Sequence, residues 1–88
     1  MNVAELLHLT STVTSPPPGA INVRIGKTVV GPGGKWVPCA TQIPGGAYCS
    51  SVFEVGPGRR QVCAANTPTT CADEALSNAI AMACSAAA

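Results

Sequence analysis

Five cysteines, one histidine and four carboxylates are the side chains of this 88-residue sequence with the most chemistry to offer. Cys39, Cys49, Cys63, Cys71 and Cys84 are separated by 9, 13, 7 and 12 residues. No Cys-x-x-Cys pair occurs, so the spacing suits neither a zinc site nor a dithiol redox centre. A histidine-activated nucleophile would have to draw on His8, near the N-terminus. Among the carboxylates Glu5, Glu54, Asp73 and Glu74, the last two are neighbours on an expected helix and point apart. Neither glycine cluster has the Gly-x-x-x-x-Gly-Lys-Ser/Thr form of a phosphate loop. These residues point away from an enzyme, a metal site and a cofactor.

The cysteines then read as structural. A chain this short buries little apolar surface, and aromatics make up only 3% of it, so covalent staples are expected. Small cysteine-rich chains keep disulfides in oxidising compartments, which places the protein outside the cell. Two disulfides would use four cysteines and leave the fifth buried and free, or bridging to a second chain. The competing reading is a cytosolic protein whose reduced thiols pack as small hydrophobes. Glu5 and His8 interrupt the apolar residues 3–9 and no basic leader precedes them, so a secreted form is read as mature, with Met1 an addition. No run approaches the roughly 18 apolar residues of a membrane span.

Basic residues offer the clearest binding candidate. Val30-Gly31-Pro32-Gly33-Gly34-Lys35-Trp36-Val37-Pro38-Cys39 recurs, one residue shorter, as Val55-Gly56-Pro57-Gly58-Arg59-Arg60-Gln61-Val62-Cys63. Each copy is read as a tight turn with Pro at its first central position and Gly at φ > 0 in the second, the type II arrangement. Side by side, the two hairpins would gather Lys35, Arg59 and Arg60 at one sheet end beside Trp36. An anionic partner, whether an acidic protein, a phospholipid head group or a sulfated glycan, would dock there. A net charge of +1 argues against general nucleic-acid binding, which needs a dense basic face.

Other elements must hold these residues in place. Residues 2–10 read as one or two helical turns capped by Asn2 and Glu5, with Leu6, Leu7 and Leu9 apolar. The stiff segment Ser15-Pro16-Pro17-Pro18-Gly19 separates this arm from the folded unit. Ile21–Ile25 alternates as a half-buried strand, prolonged to Val30 past a kink at Gly26. Lys35–Cys39 returns it, Thr41–Gly46 is a loop, and Tyr48–Val55 is the clearest strand. That strand sets Cys49, Ser51, Phe53 and Val55 on one face and Tyr48, Ser50, Val52 and Glu54 on the other. Arg59–Ala64 closes the second hairpin. From Cys71 to about Ala86 the chain reads as helix, with Thr70 as N-cap and a stripe of Leu76, Ile80 and Cys84, joined by Ala79 and Ala83, against the sheet. Cys71 and Cys84, roughly 20 Å apart along such a helix, cannot pair with each other. Cys84 is therefore expected to reach Cys49 or Cys39, while Cys71 could close on Cys63, Cys39 or Cys49.

The expectation is an α+β fold: a small antiparallel four-stranded sheet of two related hairpins, with a C-terminal helix packed on one face, disulfide-stabilised. Residues 1–19 form an arm and Pro-rich linker, and 20–88 a single domain. In size, cysteine content and richness in Ala, Gly, Ser and Thr the chain resembles secreted fungal effectors and killer-toxin-like proteins. That resemblance, one of composition and fold class, implies a secreted, non-enzymatic binding protein that reads a partner through its turns and the loop 41–47. The alternative is an extracellular structural component that self-assembles as a disulfide-linked or arm-exchanged oligomer.

Overall fold

Alternation along the middle of the chain builds one antiparallel sheet, and the alanine-rich C-terminus builds a helix. The computed structural model describes residues 13–56, 60–64 and 68–88. Its elements are β1 (Val13–Thr14), β2 (Ile21–Ile25), β3 (Val29–Gly31), β4 (Gly34–Gln42), β5 (Tyr48–Val55), β6 (Gln61–Ala64) and α1 (Ala72–Ala87). The strands run in the order β1-β6-β5-β4-β2, and β3 lies beside β2 on the same edge of β4. The two related hairpins are thus β3–β4 and β5–β6, joined through the long β4–β5 pairing that runs from Lys35↔Val55 to Gln42↔Tyr48. The break near Gly26 falls as expected, and the Gly26 N–H donates to the Pro38 carbonyl at 2.9 Å.

One feature of the strand plan differs from the expectation. Val13 and Thr14, read as part of the arm, pair with Ala64 and Cys63 and add a strand at one edge. β2 lies at the opposite edge, so residues 15–20 connect the two edge strands. The Pro-rich segment ends in a tight turn, in which the Ala20 N–H donates to the Pro17 carbonyl at 3.1 Å and Gly19 takes a φ of +85°. The expected helix at residues 2–10 lies outside the described residues.

The first Gly-Pro-Gly turn is also built differently. Gly31 pairs with Gly34, leaving Pro32 and Gly33 as its central residues. The positive φ falls on Gly34 (+114°) rather than on Gly33, so the turn is not type II. The helix explains why. The Gly33 N–H donates to the Ala87 carbonyl at 2.9 Å, and Gly31 and Gly33 lie so close to the helix end that a Cβ on either would collide with the Ala87 or Ala86 carbonyl. The last turn of α1 has no basic side chain, so this backbone donor meets one of its orphan carbonyls. The second turn, including Arg59, lies outside the described residues.

The helix begins one residue later than expected, with Cys71 at the N-cap position and no side-chain cap. Thr70 does not cap it. Instead Thr69, pinned to Tyr48 by two backbone bonds of 2.8 Å, accepts the Cys71 N–H at 3.2 Å. The buried stripe is Ala75, Ala79, Met82, Ala83, Ala86 and Ala87. Ala79 and Ala83 were expected there, but Leu76 is only half-buried and Ile80 and Cys84 are exposed. Trp36, 1% exposed, fills the space beneath α1, and only a face of small side chains lets the helix backbone come down around it. No described helix is long and apolar enough to cross a membrane.

Register parity settles which side chains share the helix side. Trp36, Ala40, Val52 and Ala64 face α1, and the Ser50 hydroxyl donates to the Ala75 carbonyl at 2.8 Å. Cys39, Cys49 and Cys63 occupy the alternate positions and so point to the far face. The expected staples find no support: all five cysteines are unpaired, with Cys71 and Cys84 exposed and the other three buried. A bond from Cys84 to Cys49 or Cys39 would have to pass through the sheet. Cys71, exposed at the N-cap of α1, is bonded to none of the three. Within the far face, Cys39 and Cys63 stand on either side of Ser51, two strand spacings or about 10 Å apart. Cys49 lies diagonal to each at about 7–8 Å, past the reach of a disulfide.

Candidate binding face

The far face divides into two halves. One polar side chain from each of four successive strands joins in a row that runs diagonally across the face, since Ser51 stands opposite Cys39 and Gln61 opposite Phe53. Asn22 stands on β2, Thr41 on β4, Ser51 on β5 and Gln61 on β6. The Thr41 hydroxyl donates to Asn22 Oδ1 at 2.8 Å and accepts from Ser51 Oγ at 2.6 Å. Gln61 Nε2 closes the ring by donating to Asn22 Oδ1 at 2.9 Å and Ser51 Oγ at 3.0 Å. No buried side-chain polar atom among the described residues lacks a partner. The row ties register across the sheet, because a slip of one residue would break all four contacts.

The three far-face thiols flank that row. Burial pushes Cys39 and Cys49 up from the usual thiol range, and Cys63 up to about 11. For Cys63 the leading cause is burial, reinforced by Cys49 and Cys39 nearby and opposed by a hydrogen bond with Ser51. At neutral pH these are uncharged, packed thiols rather than nucleophiles. The described residues contain no group of three or more side chains placed to hold a metal ion.

The other half, at the β3–β4 turn, is apolar and open. Val30, Lys35 and Val55 form one row across β3, β4 and β5. Val37, Phe53 and Gln61, all half-buried, form the next, and Ile25 follows on the edge strand beside Cys39. Ile25, Val30 and Val55 are 67%, 66% and 45% exposed. The three share one face, with Val30 and Val55 on either side of Lys35 and Ile25 two rows along, and Val37 and Phe53 lie between; open apolar side chains grouped in this way mark a candidate interaction site. Lys35 is exposed at its centre.

Of the residues expected to bind, Lys35 is the one that remains available on this face. Trp36, the next residue, points to the opposite side and is a core residue, its Nε1–H donating to the Gly33 carbonyl at 3.2 Å. It cannot touch a partner. Arg60 lies beside Glu54, which stands opposite Trp36 on the helix side, and the two form an exposed ion pair at 3.3 Å. Lys35 and Arg60 therefore do not converge, and Arg59 lies outside the described residues. Of the loop 41–47, Thr41 is buried in β4, whereas Pro44, Gly45 and Gly46 are exposed. The signal for Val30 and Val55 was present in the repeat, since each copy opens on one of them. Only the β4–β5 register shows that they bracket Lys35. No family model matches the chain, and no curated protein or solved structure is significantly similar to it.

Proposed function

We propose that this protein is a non-enzymatic binding module that docks a partner on the far face of its sheet, at the end formed by Val30, Lys35 and Val55. The observation that carries the reading is the apolar patch itself. In a chain with three aromatic residues, exposing Ile25, Val30 and Val55 together gives up burial that the fold could use. The helix side supports the core and the turn that caps α1, which leaves the far face for recognition. The expectation of secretion rested on paired cysteines, and the proposal here is of binding alone.

The test is selection of a random dodecapeptide phage library on the immobilised native protein. Enriched clones are then challenged with a Val30→Ser/Val55→Ser variant and, as a control, with Ile80→Ser on the outer face of α1. The reading expects the first variant to lose the clones and the second to keep them. Clones indifferent to Val30 and Val55, or lost with Ile80, would overturn it.

A second reading is self-assembly, favoured by the exposed Cys71 and Cys84. An intact mass that doubles under oxidising conditions and collapses on reduction would bring it forward.

A further inference from the structure

Charge is distributed unevenly between the two faces. The described strands contain three charged residues, Arg24, Lys35 and Glu54. Arg24 pairs opposite Ala40 on the helix side and meets Asp73 of α1 at 3.0 Å. Glu54 is on that side too, with Arg60. The remaining described acids, Asp73 and Glu74, stand in the first turn of α1. Every described carboxylate thus belongs to the helix side. Lys35 is the one charge that these strands place on the far face, and it forms no ion pair with a described residue.

A partner that covers Val30, Val37, Phe53 and Val55 also closes around the Lys35 side chain, which stands between the two outer valines. Burying a charge without an opposite charge is strongly unfavourable, so an apolar partner alone would be rejected. Resting on the far-face reading above, we infer that the partner is an acidic apolar protein segment, presenting a carboxylate to Lys35 from within a surface of aliphatic or aromatic side chains. A second copy of this chain does not meet the requirement, because its own far face carries a lysine and no described acid. An anionic lipid surface fits less well. Attraction of about 1 kcal/mol per basic residue is small for a chain of net charge +1.

The experiment is a charge swap within the same dodecapeptide selection. Clones selected on the native protein are expected to carry Asp or Glu flanked by Val, Ile, Leu or Phe. The Lys35→Glu variant is expected to weaken them about 30-fold or more, the lower end of what losing one side of a desolvated charge pair does. A fresh selection on Lys35→Glu is expected to yield Lys or Arg in the same apolar setting. Lys35 is exposed and its cross-strand neighbours are valines, so the substitution creates no like-charge pair in the sheet. Clones that need Val30 and Val55 but show no acidic preference, or ignore Lys35→Glu, would overturn the inference and leave the far-face reading standing. Clones that need neither valine, or no enrichment at all, would remove both. Sedimentation with phosphatidylserine–phosphatidylcholine vesicles that is lost in Lys35→Glu would replace the protein partner with a membrane surface.

Discussion

Replacing Gly33 by Ala tests whether the first Gly-Pro-Gly turn exists to receive the helix end. A Cβ at this position would meet the Ala86 carbonyl oxygen, with the Ala87 carbonyl carbon and the Ala88 oxygen each at 3.1 Å. All three are backbone atoms, so no rotamer change relieves the contact. The turn must move away, and the 2.9 Å bond from Gly33 N–H to the Ala87 carbonyl goes with it. Overpacking of this kind costs about 1–3 kcal/mol, and the lost hydrogen bond about 1 kcal/mol. Restricting the unfolded chain returns about 0.4–1 kcal/mol. The net loss is about 2 kcal/mol, which for a domain of this size lowers Tm by about 8–16 °C. Thermal and urea unfolding followed by circular dichroism measure it. The decisive control is a chain ending at Ser85, which lacks the obstructing carbonyls. In that background Gly33→Ala is expected to be neutral or slightly stabilising, so the whole cost appears as coupling between the two sites. An equal loss in both backgrounds, or none in the full chain, would refute the reasoning.

Three further outcomes follow from the packing. Ser51→Ala removes one member of the diagonal row and leaves the Gln61 amide and the buried Thr41 hydroxyl each short of a partner; urea unfolding should show a loss of about 1–3 kcal/mol. Trp36→Ala empties the largest buried position under α1 and should cost about 3–5 kcal/mol, read as a lowered urea midpoint by circular dichroism. The Cys63 thiol stands at about 11 in the fold against 9.0 ordinarily, so its contribution is fully present below pH 9 and is lost as pH rises from 9 through 11. At 1.36 kcal/mol per unit that comes to about 3 kcal/mol. Urea midpoints should therefore fall over this window in the native protein and fall less steeply in Cys63→Ala.

Much of the fold was legible because strand alternation is a strong signal. Tyr48–Val55 has the bounds and the two faces that its pattern implies, and the repeated Gly-Pro-Gly motif marks two real hairpins. The pattern could not say which face the helix would choose. Ser50 and Val52 on one side are no more apolar than Ser51 and Phe53 on the other. That single choice of parity turned the expected helix-to-sheet disulfides into three buried far-face thiols. It also sent Trp36 into the core while leaving Lys35 outside, two neighbours that the sequence had grouped. The helix stripe was misplaced for a related reason. Leu76, Ile80 and Cys84 are the more hydrophobic set, but over Trp36 close approach decides the packing, and alanine permits it. β1 was missed because two residues are too few to show a period. The diagonal row was invisible because Asn22, Thr41, Ser51 and Gln61 lie on four strands and meet only through register.

The central claim is the location of the binding face, and chemical-shift mapping tests it most directly. The isotopically labelled native protein would be titrated with the tightest peptide from the phage selection. Perturbations centred on Ile25, Val30, Lys35, Val37, Phe53 and Val55 are the predicted result. Perturbations gathered around Ile80 on the outer face of α1, or around the loop at Pro44, with the valines unmoved, would contradict the account.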